Sequence, residues 1–145
     1  NKQNPYDGNC FIGFPAASDG AISVSAINTD GTNAGTCTQS IKNGHQYQKL
    51  QPSAPGQNIY STRLDGSITS WGGPDPQTSW ATPHVSGIAS ILYSCVPTQD
   101  QSQKLEIIEN TLRYSGRDYG AMNWDNKFGY TSANLFQALD FANCF

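Results

Sequence analysis

Few side chains in this sequence are equipped for chemistry. It has two histidines and four cysteines, none of them in a CxxC spacing, so a zinc site is not expected and no metal-ligating set is assigned. That leaves the hydroxyls, and Ser79 stands out among them. It lies in QTSWATPHVSG (Gln77 to Gly87), after a turn rich in glycine and proline and at the start of a stretch of small apolar residues. A serine hydroxyl is a poor nucleophile at neutral pH and must be exposed, aimed and served by a base. A helix N-terminus can aim it, because the first N–H groups lack partners and the helix dipole favours negative charge developing there. By position alone, a serine in that place also reads as a helix N-cap. No nearby residue supplies the base. His84 lies five residues on and would point away from Ser79 on a helix, while His45 sits in the polar run KNGHQYQ and reads as a surface histidine.

The elements that would position Ser79 show in the patterning. AISVSAI (21–27) is apolar and rich in β-branched residues, as a buried strand should be, and NTDGTNAG after it supplies turn residues. SIKNGHQYQKLQPSAPGQ reads as polar and irregular. NIYST and SITSW read as short strands around the turn RLDG. From Ser79 onward, Val85, Ile88, Ala89, Leu92 and Cys95 keep a helical rhythm. The small residues between them suit close packing, and Pro83 is expected in the first turn, where a lost donor matters least. VPTQD ends that helix. QSQKLEIIENTLRYSG predicts a second, amphipathic helix with Leu105, Ile108 and Leu112 inward and Gly116 as its stop, and SANLFQALDFANC predicts a third. Short strands first and helices later fit the C-terminal half of a larger α/β fold.

Composition bounds the remaining possibilities. A chain of 145 residues is the size of one domain, 1–145. Charged residues make up 13%, Lys plus Arg total 8 and the formal net charge is -3, so no basic face suggests nucleic acid and no acidic run suggests a tail. No apolar run approaches the roughly 20 residues of a membrane helix. Abundant Gly, Pro, Ser, Thr, Asn and Gln imply a neutral, loop-rich surface, as in a secreted protein. Cys10, Cys37, Cys95 and Cys144 fit two disulfides in an oxidising compartment, with four buried thiols as the alternative.

The longer string TSWATPHVSGIASIL resembles the nucleophile segment of subtilisin-like serine proteases, the subtilases, written G-T-S-M-A-x-P-H-V-x-G. Thr78, Ser79, Ala81, Pro83, His84, Val85 and Gly87 match in register. PSAPGQNIYST is similar to the family's A-P-G-x-x-I-x-S segment, and FGYTSANLFQAL to its closing G-x-G-x-v-n-A-x-x-A helix. The resemblance implies a three-layer α/β domain with a mainly parallel sheet. It makes Ser79 the nucleophile of peptide-bond hydrolysis, with its own N–H as one oxyanion donor and Thr78 assisting. NKQNPYDGNCFIGFP puts Asn1 where the family's oxyanion asparagine stands and Phe14-Pro15 where an aromatic-Pro pair, often cis, follows it. Gly13 then lies at the floor of the S1 pocket. DGNCFIGF is similar to a proprotein-convertase run, which implies a Cys10–Cys37 bridge and leaves Cys95 and Cys144 for a second. In two places the chain departs from the family pattern: Gln77 replaces a glycine, with Gly72 and Gly73 available to absorb the strain, and Trp80 replaces a methionine beside the nucleophile.

The family's Asp and His segments, D-[ST]-G and H-G-T, have no counterpart here. The resemblance therefore implies a C-terminal piece of a catalytic domain, completed by an N-terminal fragment that carries both residues, with peptides or proteins as substrates. Alone, Ser79 is expected to be inert. No cofactor is required for such a reaction; a structural calcium held by backbone carbonyls around Pro15 to Ile22 is compatible with the family pattern. The competing reading, motivated by Gln77 and Trp80, is a pseudoprotease or binding protein that keeps the fold without turnover.

Overall fold

The computed structural model describes residues 14–16, 18, 20–28, 30–32, 40–42, 45–47, 50–71, 77–125 and 128–145. A parallel three-stranded sheet forms its centre, in the order β1 (Ser23–Ile27), β4 (Leu50–Pro55), β7 (Thr131–Ser132). Two antiparallel hairpins accompany it: β2 (Ser40–Lys42) with β3 (His45–Tyr47), and β5 (Ile59–Thr62) with β6 (Ile68–Trp71). Among the described residues three helices follow: α1 (Thr78–Cys95), α2 (Gln101–Tyr114) and α3 (Leu135–Phe141).

The stretch expected to be polar and irregular holds the central strand. β4 escaped the pattern because its sequence is LQPSAP, with two prolines, a serine and few large apolar residues. Tertiary context explains its burial. Pro52, Ser53 and Ala54 are buried, and the small side chains of Ala26 and Ala54, paired across the sheet, leave room for α1 to lie close against it. Proline lacks the N–H a central strand uses, and the ladder accommodates it with an irregularity. From the pair Ser23–Leu50 to the pair Ser25–Ser53, β1 advances two residues while β4 advances three. His45 likewise falls on a short strand rather than in a loop.

α1 buries Ala81, Val85, Ile88 and Leu92 on one face, the spacing the sequence implied. Pro83 is its sixth residue, beyond the first turn where it was expected. Because proline has no N–H, the bond that would run back to the Ser79 carbonyl cannot form. α2 buries Ile108, Thr111 and Leu112, while Leu105, expected inward, is 59% exposed. The buried residues are Ile108, Thr111 and Leu112, with Ile107 partly buried beside them; Leu105 shares the face of Ile108 and Leu112 but lies a turn nearer the helix's start, ahead of the buried residues.

Asp100 caps α2, accepting from the Gln103 N–H at 2.9 Å, and Asn134 caps α3, accepting from the Gln137 N–H at 3.1 Å. Gly116 follows the helix stop as expected, for a further reason: a Cβ there would collide with the backbone of Ser132 on β7. Cys95 and Cys144 form a disulfide with Cα atoms 5.5 Å apart, fastening the end of α1 to the end of the chain. Cys10 and Cys37 lie outside the described residues. Among the described residues no helix is long and apolar enough to cross a membrane.

Candidate active site

Three backbone segments converge at the start of α1. The Gly56 N–H donates to the Ile27 carbonyl at the end of β1 (3.0 Å), and the Gly56 carbonyl accepts from the Gln77 N–H (2.9 Å). Gly56 thus links the exits of both parallel strands to Gln77, the residue that opens α1. Only a glycine fits, because a Cβ there would lie 2.7 Å from Ala26 Cβ and 2.7 Å from the Gln77 carbonyl oxygen. The resemblance of PSAPGQNIYST to the family segment assigns Gly56 no role of its own. Its glycine, next to the last proline of a strand, was the available signal.

The cap of α1 is Gln77, in an extended conformation and without a side-chain cap bond, so Ser79 is not the N-cap that its position allowed. It is the second helical residue and is exposed. The N–H groups of Trp80 and Ala81 both turn back to the Gln77 carbonyl, at 3.1 and 3.3 Å. Those of Thr78 and Ser79 stand ahead of any acceptor inside the helix, at the positive end of its dipole. Among the described residues nothing hydrogen-bonds to Ser79 Oγ. The Thr82 hydroxyl, one turn on, donates to the Thr78 carbonyl at 2.8 Å.

Trp80 turns away to pack against Trp71 of β6, with ring centroids 5.8 Å apart and planes inclined by 31°. Arg63 sits over the Trp71 ring at 5.8 Å. The off-pattern tryptophan therefore ties the β5–β6 hairpin to the helix that carries Ser79. At the hairpin's turn, Asp65 accepts from the Ser67 hydroxyl (2.6 Å) and N–H (2.9 Å), which holds its carboxyl below the ordinary carboxylate range.

His84 is exposed, with Nδ1 2.9 Å from the Trp80 carbonyl one turn back, so this imidazole is oriented along its own helix and not toward Ser79. Thr78 is half-buried at the helix start. The Phe14-Pro15 peptide is cis, as the pattern implied. Asn1, Gly13, Gly72 and Gly73 lie outside the described residues. The Pro15 and Ser18 carbonyls accept from Ser18 and Ala21 N–H groups, and the Ala16 carbonyl accepts from the Ser23 hydroxyl at 2.8 Å. Among the described residues no three His, Cys, Asp or Glu side chains form a metal-binding group.

With an exposed hydroxyl at a helix N-terminus fed by a parallel sheet, residues 3–131 match the model of the Subtilase family, Peptidase S8, and the chain belongs to that family. It is 32% identical over 108 residues to subtilisin E of Bacillus subtilis (strain 168), covering 74% of this chain and 26% of that protein. A thermostable alkaline protease of Halalkalibacterium halodurans is 31% identical over 105 residues, with 72% and 26% covered. The chain therefore spans about a quarter of the length of these relatives. Among solved structures, the CspB protease of Clostridium perfringens superposes with a TM-score of 0.74 over 90% of this chain and 28% of that one, at 24% identity. The A-subunit of an AB5 toxin from E. coli gives 0.62 over 91% and 44%, at 23% identity. Both share the α/β fold with its parallel sheet.

Proposed function

We propose that this chain supplies the nucleophile and part of the oxyanion hole of a secreted serine endopeptidase. The observation that carries the proposal is the placement of Ser79 within a subtilase match: second in α1, exposed, unbonded at Oγ and next to unpaired helix N–H groups. In this reading Ser79 Oγ attacks the scissile carbonyl as an external imidazole takes its proton. The carbonyl oxygen becomes an oxyanion beside the Ser79 N–H, where the helix dipole already favours negative charge. Collapse expels the amine, and water releases the acyl group from Ser79.

The other roles follow by resemblance. Asn1 donates a second hydrogen bond to the oxyanion, Thr78 assists at the helix start and Gly13 leaves the S1 pocket open to large side chains. The general base and its aspartate come from protein outside these 145 residues, since His84 is turned to the Trp80 carbonyl. The partner is the portion of the same protease that carries Asp and His, and the substrates are peptides or proteins. An extracellular location is supported by the Cys95–Cys144 disulfide, a bond that persists in oxidising compartments.

Peptide hydrolysis by the intact protein tests the proposal. Ser79→Ala should lower kcat by ~10⁶-fold, a magnitude that comes from subtilisin itself. Hydrolysis that survives Ser79→Ala would sink it. Loss of the asparagine donor with Asn1→Ala should cost ~10²–10³ in kcat, again a subtilisin value, with little change in KM.

A further inference from the structure

The β5–β6 hairpin meets α1 at Trp80, the residue after Ser79, whose ring packs on Trp71. At Trp71 an open cavity of about 560 Å³ is lined by Thr62, Arg63, Leu64, Asp65 and Trp71. Its volume falls within the roughly 300–1,000 Å³ of ligand sites. The wall can be reached from solvent: Arg63 and Leu64 are exposed, and Trp71 keeps 37% of its surface open.

Arg63 is the side chain in this wall equipped for recognition. Its guanidinium lies over the Trp71 ring, and among the described residues it makes no ion pair and no side-chain hydrogen bond. The ring steadies the guanidinium without occupying any of its five donors. Arg113, by contrast, already donates to Glu109. Asp65 shares the wall, but its Oδ1 accepts from the Ser67 hydroxyl and N–H at 2.6 and 2.9 Å, which offsets part of its charge within the turn.

Position ties this arginine to whatever Ser79 attacks. Contacts of 5.8 Å join Trp80 to Trp71 and Trp71 to Arg63. An extended peptide covers that chain of contacts in roughly three or four residues. We propose that Arg63 is a specificity-determining residue that pairs with an acidic side chain of the peptide substrate, a few residues from the bond that Ser79 attacks. The inference rests on the reading of Ser79 as the nucleophile. The substrate carboxylate accepts from the Arg63 fork, and the stem that carries it lies on Leu64 and the open part of Trp71.

The test uses the intact protein with Ser79→Ala, so that peptides bind without being cut. Fluorescein-labelled alanine decapeptides with a central Phe carry one Glu at each of the four positions on either side in turn, each beside a Gln twin. By fluorescence anisotropy, Glu should bind about fivefold more tightly than Gln at one or two neighbouring positions, less so in concentrated salt. Adding Arg63→Glu should invert that preference at the same positions, which a change in hairpin packing alone would not do. Equal binding of every pair, absence of binding, or a Glu preference that survives Arg63→Glu overturns the proposal. Hydrolysis of the same peptides by the wild type separates the two readings. Glu-selective binding without cleavage would sink the role of Ser79 and leave the Arg63 pairing standing, whereas cleavage with equal kcat/KM for both twins would sink only the role of Arg63.

Discussion

Gly56 and Ser79 depend on each other, although 23 positions separate them. Ser79 is held at the sheet's edge because Gln77 hangs from the Gly56 carbonyl, and Gly56 hangs from Ile27. Gly56→Ala places a methyl 2.7 Å from the Gln77 backbone, which cannot move without shifting the start of α1. The expected cost is ~1–3 kcal/mol of stability, read from denaturant unfolding, together with a loss of hydrolysis out of proportion to it. Trp80 is a different case. Its ring is anchored on Trp71, so Trp80→Ala should loosen the β5–β6 hairpin, seen as faster amide exchange across Ile59–Thr62.

Elements show what could and could not be read from the sequence. α1 was legible because large apolar residues recur at helical spacing among small ones, and Leu92 lies fully buried where that spacing puts it. Leu92→Ala should cost about 2–5 kcal/mol, measurable as a lowered unfolding midpoint. The hairpin around RLDG was legible too, from its turn residues. β4 was not, because a strand pressed between two neighbours and under a close helix is built from Pro, Ser and Ala, residues that signal loops elsewhere. Leu105 misled for the opposite reason: it is large, apolar and on the face of Ile108 and Leu112, but sits in the early part of α2, ahead of the residues that the helix buries.

The hairpin turn also carries a pH signature. Asp65 has a lowered carboxyl pKa because the Ser67 hydroxyl and N–H bond its charged form. A folded-state value below the unfolded one means the stabilisation is present above the unfolded value and is lost as pH falls through the folded one. The Ser67 amide should therefore exchange faster only when acidified past the ordinary carboxylate range.

At the scale of the whole molecule, the chain is a parallel α/β sheet piece fastened at its end by one described disulfide. Cys95–Cys144 closes a separation of 49 residues that takes in both α2 and α3, and replacing both cysteines should cost about 4 kcal/mol in the loop-entropy view. The family was legible in the sequence because the register around Ser79 is long and ungapped. A base for Ser79 was not, because the sequence holds no counterpart of the family's Asp and His segments and His84 is turned to the Trp80 carbonyl. Labelling of the intact protein with a fluorophosphonate probe, followed by peptide mapping, tests the role of Ser79 most directly. A single phosphonyl adduct on the peptide containing Ser79, absent when the protein is denatured before the probe is added, is the expected result. A folded, intact protein in which Ser79 stays unmodified would contradict its assignment as the nucleophile and leave a binding protein on a subtilase fold.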